Sequence, residues 1–392
     1  MHSTQTTPSR NGASPESGGR LEVAVIGAGQ AGLAIGQFLA RSGRGFMILE
    51  AGESVAAAWR NRWDSLVLFT PRRYDALPGL PFRGDPDGYP GRDEVVAYLE
   101  DYARTFDLPI HFGSRVRSLE AGDGGFVLQF ADGRCLEAEQ VVVATGPFHV
   151  PNMPALADEL DPGLFQVHSA GYRTPSGVPG GTVLVVGGGN TGFQIAKELS
   201  ATHTVHLAVG SRQTPLPQRL LGRDVFWWLT RLGLLGKSVD SRLGRRAQGR
   251  DTLIGSSPRE LQRRFGIGLK PRAVGASGRT MRFADASELD VQAVIWATGY
   301  RPDHSWIGLD IADEEGRLRH RRGVSDVPGL YFLGLSWQHT RGSALLGFVK
   351  DDAEFIAGRI HAAAPSTTPS AGFAPTSEGA LIPPAGAATQ GI

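Results

Sequence analysis

The chain has 392 residues, enough for two core-bearing domains, with 41% hydrophobic and 20% charged residues, as in an ordinary globular protein. Its net charge of +1 gives no reason to expect nucleic acid or an acidic partner, and its one cysteine, Cys135, excludes an internal disulfide and any Cys-x-x-Cys redox pair. No apolar run approaches the roughly 18 residues of a membrane span, and the first residues lack the apolar core of a signal peptide, so the expectation is a cytoplasmic protein without stable membrane insertion.

In chain order, residues 1–19 are polar and rich in Gly, Ser and Pro, the composition of a disordered tail. "EVAVIG" then reads as a buried strand, "AGLAIGQFLARSG" as a helix ending near Gly43 and "GFMILE" as a second strand, which together make a βαβ unit. The same order returns about 160 residues later as "GTVLVVGG", "NTGFQIAKELSA" and "TVHLAVG". Two further buried strands, "QVVVATG" and "AVIWATGY", each end in Ala-Thr-Gly and flank the second unit. The expected fold is therefore α/β, with two Rossmann-like dinucleotide-binding domains, the second inserted in the first. Residues 20–150 and 291–362 would form one domain and 151–290 the other. Residues 363–392, rich in Pro, Ala, Thr and Gly, would form a second disordered tail.

A glycine turn is informative only in context, after a strand, at a helix start, and followed about 20 residues on by a residue that reads the ribose. The first turn offers Gly27 for the tight bend, Gly29 for close approach of a pyrophosphate and Gly32 for helix–strand packing, with Ala28, Gln30 and Ala31 between them. Its second strand ends at Glu50, 18 residues past Gly32, followed by Ala51. A carboxylate there accepts from ribose hydroxyls and repels a 2′-phosphate, so this site calls for FAD or NAD. The second turn is Gly187, Gly189 and Gly192, with Asn190 and Thr191 opening its helix. No carboxylate follows its second strand. Ser211 and Arg212 stand there, Arg212 lying 20 residues past Gly192, and an arginine at this place can hold a 2′-phosphate. Two turns with opposite ribose preferences point to two cofactors, FAD in the first and NADPH in the second.

The stretches "LEAGESVAAAWRNRWDSLVLFTP", "RYDALPGLPFRGDPDGYPGRDEVVAYLEDYARTFDL", "VIWATGYRPD" and "DVPGLYFLGLSWQHTRGSALLGFVKDDAEFIA" resemble the flavin-containing monooxygenases, the class B flavoprotein monooxygenases. The likeness spans about 21–360 and is strongest to bacterial members and the plant indole-pyruvate monooxygenases. The resemblance implies an NADPH-reduced FAD enzyme that inserts one atom of O2 into a small organic or soft-heteroatom substrate through a C4a-(hydro)peroxyflavin. It also implies that Trp59 and Arg60 line the flavin, that Thr145, Gly146, Thr298, Gly299 and Gly334 lie along the cofactors, and that Thr70 and Gln338 are hydrogen-bonding, catalytic candidates near the ring. A helix starting near Gly342 would point at the flavin.

The chain departs from the family at "PGLFQVHSAGYR", where His168 and Tyr172 fit its identifying motif but Pro162 and Leu164 replace Phe and Gly. An NADPH-dependent flavin reductase or electron-transfer flavoprotein is the alternative. Partners would be the substrate and O2, with no metal and no nucleic acid, and with homodimerisation left open. The basic stretch 212–272, with "VFWWLTRLGLLG" inside it, carries two readings: a membrane-surface or partner helix, or an insertion of the NADPH domain that packs Trp227 and Trp228 near the substrate channel.

Overall fold

Near-continuous apolar runs such as "VAVI" and "VVV" suit strands covered on both faces, which favours parallel sheets under helices. The computed structural model describes residues 20–211, 215–247 and 253–363. Both expected tails lie outside the described residues, save Ala363, and so does Arg212.

The first sheet has nine strands. Its centre is Arg20–Ile26, paired in parallel with Phe46–Leu49 on one side and Cys135–Val143 on the other, so that Val25 lies opposite both Ile48 and Val142. Ile110–His111 extends one edge and Leu330–Phe332 the other, both parallel. An antiparallel meander, Val116–Gly122 and Gly125–Phe130, attaches to Cys135–Val143. The helix Gln30–Arg41 packs its Leu33, Ile35 and Leu39 with Val349, Ala353, Ile356 and Ile360 of the last helix, Val349–Ala362, in one buried cluster. Burial of the Leu, Ile and Val side chains among these contributes on the order of 1.5–3 kcal/mol each.

The second sheet has five parallel strands, in the order Gly268–Lys270, Thr204–Ala208, Thr182–Val186, Ala293–Trp296 and Phe165–His168. The helix Asn190–Leu199 covers it through Phe193, Ile195 and Leu199.

One boundary differs from expectation. The strand Ala293–Trp296, assigned from its Ala-Thr-Gly ending to the first unit, lies inside the second sheet between Thr182–Val186 and Phe165–His168. All four of its residues are buried, and Trp296 Nε1 donates to Gln166 Oε1 at 3.1 Å. Such a strand needs a neighbour on each side, and the second sheet supplies both. The chain returns only afterwards, where Tyr300–Arg301 pairs antiparallel with Val150–Pro151. Thr298 Oγ1 donates to Asn152 O at 2.5 Å and Asn152 Nδ2 to Thr298 O at 3.2 Å, so the two crossings are tied to each other. Residues 293–296, expected with the first sheet, therefore belong with the second.

Candidate functional site

At the first turn, Gly27 adopts φ +108°, and a Cβ built on it would lie 2.7 Å from Ala144 O of the neighbouring strand end. A Cβ on Gly32 would lie 1.9 Å from Gly27 O, which shows how closely helix and strand meet. A Cβ on Gly29 meets nothing within 4 Å, so its face is open. Gly29 is the N-cap of Gln30–Arg41 and gives the helix no side-chain cap. The first N–H groups of the helix and its positive end thus stand ready for an anion. Glu50 is held beside them: Oε2 accepts from Ala28 N and Oε1 from Gly52 N, both at 2.8 Å.

The second turn repeats this geometry. Gly187 adopts φ +138°, with a hypothetical Cβ 2.1 Å from Ala297 O, and Gly192 would meet Gly187 O at 2.2 Å. Gly189 again is open for 4 Å and caps Asn190–Leu199 without a side chain. At each turn, the one glycine free of steric demand is the one a pyrophosphate would approach. The residues present therefore fit two dinucleotides. Ser211 is exposed beyond the end of Thr204–Ala208. Just before it, Arg272 donates from Nε and Nη2 to Gly210 O at 3.2 and 2.9 Å, so a guanidinium stands at this strand end. Sequence spacing missed Arg272 because it follows the neighbouring strand, Gly268–Lys270, and not the strand that leads to Ser211.

Both helix starts open on one cavity of about 610 Å³. Gly27, Gly29, Gln30, Ala31, Glu50 and Ala51 line it from the first unit, and Asn190 and Thr191 from the second. Trp59, Thr145, Gly146 and Gly334 line it too, and Trp59 Nε1 donates to Gln30 Oε1 at 2.9 Å. Ala28 and Gly32 lie behind this lining, as backbone support, and Gly187, Gly189, Gly192, Thr298 and Gly299 lie outside it.

Arg60 does not reach the cavity. It is an exposed residue paired with Glu100, because the short helix Ala57–Arg60 turns Trp59 inward and Arg60 outward. Arg62 takes the inner place. Its guanidinium packs 4.8 Å from the Phe148 ring centre and 5.3 Å from that of Tyr300, and Nη1 donates to Tyr300 Oη at 2.6 Å. Sequence reasoning also missed His149. Its Nδ1 accepts from Asp303 N at 2.8 Å, so in the neutral ring the proton sits on Nε2 and faces Thr145 Oγ1 at 3.1 Å. Thr145 then accepts from the ring, and its own hydroxyl proton is left to the cavity.

Thr70 and Gln338 are buried but do not line the cavity. Gln338 Oε1 accepts from Leu335 N at 3.2 Å and steadies that loop. Thr70 Oγ1 donates to Asp75 Oδ1 at 2.5 Å. Burial raises the Asp75 carboxyl to about 7, although Thr70 and Arg72 favour its charged form. The expected helix near Gly342 is a single 3-10 turn, Arg341–Ala344, and the regular helix begins only at Val349. Thr340 caps this turn, accepting from Gly342 N, and Ser343 accepts from Thr340 N in return. His168 sits at the crossing: Nδ1 accepts from Ala170 N at 3.1 Å, leaving Nε2 to donate to Gly299 O at 2.9 Å, and burial lowers its pKa.

The basic stretch packs against the wall of this site. The helix Val225–Arg231 stacks Phe226 on Phe69, with ring centres 6.0 Å apart, and Phe69 lines the cavity. Gln218 Nε2 donates to Phe69 O at 2.9 Å, and Val239 N to His339 O at 2.8 Å. The residue that packs towards the channel is Phe226 and not the expected Trp227 or Trp228, neither of which lines the cavity: Trp228 Nε1 donates to Leu220 O and Trp227 lies beside Arg219 and Arg223. Among the described residues, no cluster of His, Cys, Asp and Glu could hold a metal ion, and no helix is long and apolar enough to cross a membrane.

Residues 24–219 match the family described as pyridine nucleotide-disulphide oxidoreductase. The chain is 46% identical to an uncharacterised CzcO-like oxidoreductase of Geobacillus kaustophilus, over 87% of this chain and 98% of that one. It is 30% identical to the indole-3-pyruvate monooxygenase YUCCA1 of Oryza sativa, over 86% of this chain and 90% of that one. Among solved structures, a flavin-containing monooxygenase from Stenotrophomonas maltophilia superposes with a TM-score of 0.74 at 31% identity, covering 88% of this chain and 98% of that one.

The two kinds of glycine should separate under mutation. Gly32→Ala forces backbone apart and is expected to cost about 1–3 kcal/mol in denaturant unfolding. Gly29→Ala has room and an extended backbone, so its cost stays below about 1 kcal/mol. Its methyl nevertheless stands where an anion approaches, so bound flavin after gel filtration should fall at least about tenfold.

Asp75 should leave a pH signature. Its folded pKa lies above the unfolded value, so the stability it contributes is present below about 4 and is lost as pH rises through about 7. Asp75→Asn, whose amide oxygen still accepts from Thr70, is expected to lack that loss. At pH 8 it should exceed the parent by up to roughly 4 kcal/mol in urea unfolding, with little difference at pH 4.

Proposed function

The chain belongs to the class B flavoprotein monooxygenase family, and from that premise we propose that it binds FAD at the first turn and NADPH at the second, in two Rossmann-like domains. The reaction is the transfer of one oxygen atom from O2 to a small organic or soft-heteroatom substrate, with water taking the other. The observation that carries the reading is the shared cavity. Two uncapped helix starts from different units open on one space, so two dinucleotides bound there would meet. The family's name implies a flavin and a nicotinamide; the ribose readers argue for which ones.

Bound flavin supplies hydride acceptance and oxygen activation, and the protein supplies position and dryness. Glu50, fixed by two backbone N–H groups, would accept from the ribose hydroxyls of FAD and would repel a phosphorylated ribose. Arg272, with Arg212, would hold the 2′-phosphate of NADPH by charge-assisted bonds. The N–H groups at Gly29–Ala31 and at Gly189–Thr191 would each cradle one pyrophosphate. Thr145 would offer its hydroxyl proton to the cofactor from a position set by His149. Trp59, Trp63, Phe69 and Tyr300 would keep bulk water out. Thr70 and Gln338 would act by holding loops, since neither lines the cavity. The single cysteine leaves no dithiol for disulfide reduction, despite the wording of the matched family. A cytoplasmic location, where NADPH is kept reduced, suits this reading.

Anaerobic stopped-flow mixing of the FAD-loaded protein with NADPH or NADH tests it. We expect flavin bleaching at least about tenfold faster with NADPH, and that ratio should narrow in Arg272→Ala, which loses a charge-assisted contact to the 2′-phosphate. Equal rates would refute the assignment of the second ribose reader. Absence of bleaching with either nucleotide would refute hydride transfer altogether.

A further inference from the structure

Residues 215–247 carry features that are independent of the redox reading. They include seven basic residues against two acids, Asp224 and Asp240, in a chain whose total charge is only +1. All seven basic residues are exposed. Asp224 faces inward: it accepts from Tyr89 Oη at 2.6 Å, from Gln218 Nε2 at 2.8 Å and from Phe226 N at 2.7 Å. Arg219 lies beside Tyr89, Asp87 and Asp224, so the positive excess of the outer face rests on the other six basic residues against Asp240.

Large apolar residues stand in the same face. Leu221 is 82% exposed and Leu232 62%, with Leu220 and Leu234 also exposed. Trp228 links them. Its indole donates to Leu220 O at 2.9 Å, and its own carbonyl accepts from Leu232 N at 2.9 Å. Leu221 is informative in a second way. It and Gly222 form the turn between Arg219–Leu220 and Arg223–Asp224, with φ of +50° and +76°. Such a turn favours Asn or Gly at the first position, and a leucine there carries strain that no burial offsets. The fold of the isolated chain gives no return for it.

We propose that this cap docks on an anionic lipid surface, with Leu221 and Leu232 entering the headgroup region and the basic residues pairing with lipid phosphates. Lipid is favoured over a folded protein by the combination of protruding leucines with an excess of arginine, which matches an interface that is anionic outside and apolar within. The helix Val225–Arg231 has seven residues, far too short to span, so the association is peripheral. Docking would bring the Phe69 side of the cavity, on which Phe226 stacks, close to the bilayer.

The test is co-sedimentation of the full-length, flavin-loaded protein with phosphatidylcholine vesicles, with and without phosphatidylglycerol. Tryptophan quenching by brominated lipid gives the depth. We expect partitioning to rise at least about tenfold with phosphatidylglycerol and to weaken with salt. The double variant Leu221→Asp/Leu232→Asp should lose most of it while keeping its flavin and far-UV circular dichroism. If that variant fails to fold, Arg223→Gln/Arg231→Gln, at exposed positions beside Leu221 and Leu232, tests the same surface through charge alone and should lower partitioning severalfold. Equal binding to both vesicle types, no binding, or unchanged binding by a folded variant would overturn the proposal. So would concentration-dependent self-association abolished by the leucine substitutions, which would make the occupant a second copy of this chain.

Discussion

Everything at this site depends on the missing side chain at two glycines. Gly29 and Gly189 begin their helices with open space in front of them, while the glycines around them are locked against backbone. A helix start without a side-chain cap is ordinarily a small cost. Here it leaves a row of N–H donors and the positive end of a helix dipole facing a cavity, the arrangement an oxygen-rich anion needs. The surrounding glycines exist so that strand and helix can come close enough to aim those donors. Glu50 completes the first turn because two backbone N–H groups fix its carboxylate, and Arg272 stands at the corresponding end of the second unit.

Much of this was legible in the sequence. Strand, glycine turn and helix follow from apolar periodicity and from the rule that only glycine tolerates such φ angles and contacts. Glu50 followed from spacing alone. The departures have physical reasons. Two Ala-Thr-Gly endings looked equivalent, yet one follows a strand of the first sheet and the other a strand of the second, because strand partners are a long-range property that local pattern does not encode. Arg60 and Arg62 are two residues apart in a tight turn, and only the backbone path decides which faces inward. His149 and Asp303 are 154 positions apart and meet because the crossings are clasped.

Thr70, expected near the ring, has its hydroxyl turned to a carboxyl. It is buried beside the site, and its hydroxyl is committed to Asp75 and not to the cavity. The carboxyl it serves is itself unusual, held near neutrality by burial. The insertion that carries Trp227 and Trp228 has two faces. Its inner face packs on Phe69, Tyr74 and Phe348 and closes the site, and its outer face presents arginine and leucine.

In the proposed reading, two separate dinucleotide sites share one cavity. Calorimetric titration of NADP⁺ into the FAD-loaded protein tests it directly. One NADP⁺ per chain should bind without release of flavin, and Gly189→Val should lose that binding while retaining flavin. Displacement of FAD by NADP⁺, or binding that survives Gly189→Val, would mean that the two turns do not hold two cofactors at once.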